Sequence, residues 1–285
     1  MASLRSIKSR KSSIQSTQQI TKAMKLVSTV KLQRAKTRAE QSKAYFNCMY
    51  DTVRSMLAKT GTVQHPYVQG NDSSKKAVIV ITSNRGLAGG YNSNVVKLIT
   101  KGELAEEDLK IYTIGKKGRE GLDKFHYEMA EDYSDMIDDP TYIEAMQVSD
   151  QVLKEYAEGE IGEIYLAYTA FKNTVSHIPT LIKLLPVEAV ENASESEAAQ
   201  APMGFDQDET EALTMLIPKY VTSLIYGGMV EAVASENGAR MQAMDSATSN
   251  AEEMIDKLSL QYNRARQGSI TQELTEIIAG ASAIS

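Results

Sequence analysis

The sequence predicts an α/β protein in which the N- and C-terminal helices form a long antiparallel coiled coil and an inserted Rossmann-like α/β domain lies between them in the chain. Three observations predict it. Residues 1 to 60 contain neither Gly nor Pro. Small and apolar residues recur at alternating steps of four and three near both ends of the chain. Between those ends, strand-like and helix-like runs alternate. The first two features are those of paired helices, and the third is that of a mainly parallel sheet.

The N-terminal helix is expected over residues 1–60. Its seam reads Ala35, Ala39, Ser42, Phe46, Met49, Val53 and Met56, and Ile20, Met24 and Val27 extend an apolar stripe upstream between basic positions. Some 57 helical residues would reach about 85 Å at about 1.5 Å each, far more than a globular domain requires.

The inserted domain is expected over residues 61–190. The runs AVIVIT (77–82), KIYTI (110–114), EIYLAYT (163–169) and TLIKLLPV (180–187) read as strands. Helical stretches are expected at 93–100, 116–125 and 142–157. Their alternation implies right-handed crossovers, while the short link FKNTVSHIP makes the last two strands an antiparallel pair. The acid cluster EDYSDMIDD at 131–139 lacks the central glycine of a calcium loop and reads as a solvated turn. Residues 191–209 are acidic, alanine-rich and free of basic side chains, the composition of a linker.

The C-terminal helix is expected over residues 210–285, with a seam that steps by four and three from Leu216, Tyr220, Ser223 and Gly227 to Leu258, Tyr262 and Ala265. It then slips and resumes as Ile270, Leu274, Ile277, Ala281 and Ile284. Pro218 predicts a break, with a short helix from Glu209 and a long one from about Pro218. At about 110 Å, this element would project past the start of the first helix.

The turn SNRGLAGGYNSN at 83–94 follows a strand and opens a helix, the setting in which many proteins cradle a phosphate. Its spacing fits neither a P-loop, which needs a Lys and a hydroxyl after the second glycine, nor G-x-G-x-x-G. The cluster GKKGREG at 115–121 has no glycine at the required distance upstream of Lys116. Both read as tight turns.

At 285 residues, 42% hydrophobic and 24% charged, the chain has the composition of a folded globular protein. No apolar run reaches the length of a membrane span, and the basic, Ser-rich start runs without a break into the helical pattern, which argues against a cleaved leader. Cys48 is the one cysteine, and His65, His126 and His177 lie far apart, so no cysteine or histidine metal motif is present. The net charge of −6 hides an asymmetry: residues 1 to 43 carry eleven Lys and Arg against Glu40, a balance of +10 that leaves −16 for the rest. Such a basic helix reads as a solvated face or as a surface for nucleic acid, an anionic membrane or an acidic protein. With no aromatic residue before Tyr45 for base stacking, the acidic protein moves ahead.

Four stretches carry a resemblance. QQITKAMKLVSTVKLQRA at 18–35, TSNRGLAGGYNSNV at 82–95, SENGARMQAMDSATSNA at 235–251 and YNRARQGSITQELTEIIAGASA at 262–283 resemble the gamma subunit family of the F-type ATP synthase, in its bacterial form. The resemblance implies that the paired helices are a central shaft inside a ring of three alpha and three beta subunits. The α/β domain would then stand at the foot with the epsilon subunit, against the membrane rotor ring of c subunits. Proton flow would turn the shaft while nucleotides bind on alpha and beta. By the same resemblance the chain has no catalytic site, cofactor or metal of its own, binds no nucleic acid, and touches the membrane only through the complex, on the cytoplasmic face of the bacterial cell membrane. Lys22, Met24 and Lys25 would meet an acidic lever of beta, Arg266 and Gln267 would hydrogen-bond to a catch loop of beta, and Arg240 would lie in a coupling block. Ile277, Ile278, Ala281 and Ile284 would form an apolar bearing.

Overall fold

The computed structural model describes residues 4–59, 65–102, 104, 108–187 and 209–284. They form helix α1 (Leu4–Lys59), the short helix α2 (Pro66–Gln69), β1 (Lys76–Ile81), α3 (Tyr91–Thr100), β2 (Leu109–Ile114), α4 (Lys116–Leu122), β3 (Glu128–Asp132), α5 (Tyr142–Ala157), β4 (Glu163–Phe171), β5 (His177–Leu185) and α6 (Glu209–Ile284). Of the expected acidic linker, 191–209, residues 191–208 lie outside the described residues and Glu209 opens α6. The chain divides into two compact units, one comprising residues up to Ser28 together with those from Arg240 onward, the other Thr29–Ala239.

The larger unit holds a five-stranded sheet in the order β3-β2-β1-β4-β5. β1 pairs in parallel with β2 and β4, β2 in parallel with β3, and β4 antiparallel with β5. β1 reads KAVIVI with Ala77 through Ile81 fully buried, as expected of a central parallel strand covered on both faces. Val78, Val80 and Ile111 pack with Val95 and Ile99 of α3 and Leu122 of α4 on one face. On the other, Ile79, Ile81, Tyr112 and Leu166 pack with Val148 and Val152 of α5 and with Leu213, Ile217, Val221, Ile225 and Met229 of α6. β5 is an edge strand, where Pro179 is tolerated because no ladder bond is required on its open side.

Three expectations for the larger unit need correction. α6 runs unbroken through Pro218. A proline inside a helix costs about 3 kcal/mol, but Leu213, Ile217, Val221 and Ile225 are each fully buried against the sheet, and their combined burial outweighs that cost. The strand β3 was not expected, since EMAED is acidic and half-exposed and carries no strand signal of its own. The cluster at 131–139 is only in part a solvated turn. It completes β3, places Ile137 in the core, and uses Asp132 to accept the Ser134 amide (3.0 Å) and an Arg119 N–H (2.6 Å).

Two polar networks lie within the larger unit. Glu155 on α5 accepts from Lys110 Nζ (2.6 Å), Gln151 Nε2 (2.7 Å) and the Tyr112 hydroxyl. Glu163 at the start of β4 pairs with Lys183 (2.7 Å) and Lys76 (3.0 Å). Burial pushes the Glu163 carboxyl up, but the hydrogen bonds from the two ammonium groups outweigh it and hold the group at about 2.

In the smaller unit, α1 and α6 pair antiparallel, with Thr21 against Thr248 and Lys25 against Asp245. The α6 seam lies as expected: Met244, Thr248, Ala251 and Leu258 are buried. The upstream stripe of α1 is not part of the seam. Ile20 and Val27 are 60% and 58% exposed, and the buried line runs instead through Ile7, Thr21 and Ser28 with half-buried Ile14, Gln18 and Lys25 between them. Counting back from Ala35 in steps of three and four lands on those positions, so the heptad continues while its residues turn polar.

Candidate functional site

Two regions compete for function: the glycine turn at the carboxyl ends of the strands, and the surface of the paired helices. The turn lies beside the switch point between β1 and β4, where open α/β sheets bind ligands. Here the first three amides of α4, which would otherwise face a phosphate, are engaged by the β1–α3 turn itself. Lys116 N donates to Asn84 Oδ1 (3.0 Å), Lys117 N to the Ser83 carbonyl (3.0 Å) and Gly118 N to Thr82 Oγ1 (2.7 Å). Ser83 in turn donates its amide to Asn92 Oδ1 (2.9 Å), and Asn84 Nδ2 donates to the Ser134 carbonyl (2.7 Å).

The two glycine clusters therefore interlock. A Cβ on Gly115 would stand 2.2 Å from the Thr82 carbonyl oxygen, and Gly115 has φ +120. A Cβ on Gly118 would stand 2.7 Å from Thr82 Oγ1. Gly89 supplies the left-handed residue (φ +57) ahead of α3. The buried Tyr91 hydroxyl donates to the Ala232 carbonyl (3.2 Å), and Ser235 Oγ donates to the Thr169 carbonyl (3.0 Å), so α6 lies against the carboxyl ends of these strands. The glycines shape a packed turn that takes up the first three amides of α4.

The helix pair offers more surface. Lys22 is exposed and Met24 half-buried, in a stretch of α1 that also carries the exposed apolar side chains Ile20, Leu26, Val27 and Val30. Lys25 stands on the seam rather than outside it, donating from Nζ to Asp245 Oδ1 at 2.6 Å. Arg240 is half-buried on α6. Arg266, Gln267 and residues 270–282 are all exposed. They lie beyond Ala265, which by the Thr21–Thr248 register is level with the start of α1. Ile277 and Ile278 are 68% and 65% exposed, with Ala281 also exposed. The Ile284 side chain lies outside the described residues.

The structure thus brings Lys22, Met24 and Lys25 together on one turn of α1 and sets Arg266, Gln267 and the apolar end apart, further along α6. Sequence reasoning placed Thr248 on the α6 seam but missed Asp245 and Thr21. The signal for Thr21 was the heptad count itself; Asp245 flanks the seam position Met244 and has no signal before the partner helix is placed. Among the described residues no helix is long and apolar enough to cross a membrane, and no cluster of His, Cys, Asp and Glu could hold a metal ion.

Comparison with known proteins gives a consistent result. The family model described as ATP synthase matches residues 3–284. An ATP synthase gamma chain of Lachnoclostridium phytofermentans is 60% identical over 100% of both chains. A gamma chain of Acetobacterium woodii, described as sodium ion specific, is 38% identical over 98% of this chain and 97% of its own. Among solved structures, a chain from the Euglena gracilis mitochondrial ATP synthase rotor superposes with a TM-score of 0.66 at 18% identity, covering 94% of this chain and 98% of that one, which shows a shared fold.

Proposed function

The chain belongs to the ATP synthase gamma family, and from that premise we propose that it is the central rotor shaft of the enzyme, coupling transmembrane ion flow to ATP synthesis and hydrolysis by rotation. The observation that carries this reading is the end of α6. From Arg266 to Ser282 it runs past its partner helix with nearly every side chain exposed, large apolar ones among them. An exposed apolar helix end of this kind is the surface of an element that works inside another protein.

In this reading the shaft is non-catalytic, and the nucleotides belong to a surrounding ring of three alpha and three beta subunits. The engagement of the first α4 amides by the glycine turn supports it. The apolar side chains Ile277, Ile278, Ala281 and Ile284 serve as a bearing, because surfaces without fixed polar partners set no preferred stopping angle. Arg266 and Gln267 contact beta, the guanidinium being suited to a bidentate carboxylate bond. Lys22 and Met24 meet an acidic surface of beta from the exposed side of α1, with Ile20 and Val27 beside them. Lys25 takes part only by exchanging its bond to Asp245, an exposed pair worth under about 1 kcal/mol. Arg240 couples rotation to catalysis. The α/β unit binds epsilon and the ring of c subunits, and the whole stands on the cytoplasmic face of the membrane as a peripheral subunit.

Co-expression with alpha and beta subunits from the same source tests this. Size-exclusion chromatography is expected to give one large complex whose sustained ATPase activity depends on this chain. Separate elution with unchanged activity would overturn the reading. Within an assembled complex, Arg266→Ala is expected to lower coupled turnover several-fold with assembly intact.

A further inference from the structure

The helix pair of the smaller unit has a seam that hydrophobic packing alone does not align. Between Ile14 and Leu32 the α1 heptad positions are Gln18, Thr21, Lys25 and Ser28, all polar. A slide of one heptad, about 10 Å, keeps the steps of four and three matched on both helices. In the larger unit the same two helices meet through Phe46 with Tyr226 and Tyr50 with Tyr220, whereas the polar stretch of the smaller unit needs contacts of its own.

Two contacts one turn apart do so. Thr248 Oγ1 donates to Thr21 Oγ1 at 2.7 Å, both side chains being buried, and Thr21 Oγ1 donates onward to the Gln18 carbonyl at 3.0 Å. Lys25 Nζ donates to Asp245 Oδ1 at 2.6 Å. We propose that this polar layer, Thr21 with Thr248 and Lys25 with Asp245, sets the register of the helix pair.

The alternatives show how the layer discriminates. Sliding α6 by one heptad in one direction would place Ile255 against Thr21 and Glu252 against Lys25. The ion pair would be replaced, but the bond between the two hydroxyls would be lost, leaving each only the carbonyl on its own helix, Gln18 for Thr21 and Met244 for Thr248. The hydroxyl contact therefore opposes this slide, and a slide the other way, which sets Met241 against Thr21 and Gly238 against Lys25, would lose both contacts. A buried polar residue that fixes coiled-coil register at some expense of stability is a well-attested use of such groups. The inference does not depend on the rotor role.

Cross-linking tests it in the full-length chain, with Cys48→Ser removing the native thiol. By the observed register Ile14 and Ile255 share a layer, each one heptad from the Thr21–Thr248 contact, and Tyr262 replaces Ile255 after the slide. Ile14→Cys with Ile255→Cys is expected to form a disulfide readily, and Ile14→Cys with Tyr262→Cys is not. Asp245→Lys sets like charges together in the native register and leaves Glu252 available in the slid one. It is expected to raise the Tyr262 product several-fold at the expense of the Ile255 product. Adding Lys25→Asp is expected to restore the native pattern, because Asp at 25 would face Lys at 245 in the native register and Glu252 in the slid one.

If Asp245→Lys does not fold, Thr21→Val with Thr248→Val provides the second reading. With the hydroxyls removed, the slid product is expected to appear in a chain of unchanged helical content. Cross-linking confined to the Ile255 pair in every folded variant would overturn the proposal. So would failure of Lys25→Asp to reverse Asp245→Lys.

Discussion

Glu163 illustrates how one side chain ties stability to pH. Held at about 2 against an ordinary value of 4.5, it binds fewer protons in the folded state than in the unfolded chain. Its contribution is therefore complete above pH 4.5 and lost as pH falls towards 2, an effect of about 3 kcal/mol at most. Glu163→Gln is expected to destabilise the protein by about 2 kcal/mol at pH 7 and to flatten urea-unfolding stability between pH 4.5 and 2. His65 acts in a higher window. Buried, it accepts the Tyr67 amide at Nδ1 (3.2 Å), and its Nε2 lies 3.0 Å from Thr214 Oγ1. Burial lowers its pKa, as it does for His177, so both favour the folded state above pH 6.5 and lose that contribution as pH falls from 6.5 towards their folded values. Unfolding midpoints at pH 7.5 and 5.5 are expected to differ less in His65→Asn than in the native chain. These roles were not legible in the sequence, because the partners of Glu163 and His65 lie on other elements.

At the scale of elements, the seams and the glycine turn were largely legible and the edges were not. Heptad spacing gave the buried or half-buried line of α6 from Val230 to Ala265, but over 213–229 it missed the fully buried line Leu213, Ile217, Val221, Ile225 and Met229, which faces the sheet. The same count carried upstream on α1 would have found Thr21 and Ser28, but the apolar residues Ile20 and Val27 drew the stripe one position away. β3 and the unbroken passage through Pro218 were hidden, since an edge strand is formed by its neighbour's ladder and a proline is tolerated by burial elsewhere on the helix. The interlocked turn makes a sharp comparison. Gly115→Ala, with left-handed φ and a Cβ 2.2 Å from a backbone oxygen, is expected to cost at least about 3 kcal/mol. Gly86→Ala, with nothing within 4 Å, is expected to stay within about 0.5 kcal/mol, both measured by chemical denaturation.

For the whole molecule, the exposed end of α6 separates stability from function. Deleting residues 268–285 removes little that the rest of the chain packs against, so the unfolding midpoint in urea is expected to shift by an amount equivalent to less than about 1 kcal/mol. In the assembled complex the same deletion is expected to weaken coupling of rotation to catalysis more than assembly. Equal loss of both would show that the tail is needed to build the complex rather than to bear on it.

The sequence by itself determined the two long helices, the α/β insert, the buried central strands and the family, because periodicity and local motifs are properties of consecutive residues. Only the tertiary structure decided that the first α4 amides are engaged by the glycine turn, that Lys25 faces Asp245 rather than standing outside the seam, and that Thr21 meets Thr248 in a buried contact one turn away. Those facts depend on which groups from distant parts of the chain come within about 3 Å of one another. Hydrogen bonds and ion pairs are short-ranged and directional, and no repeat along one strand or helix records where its partner will stand.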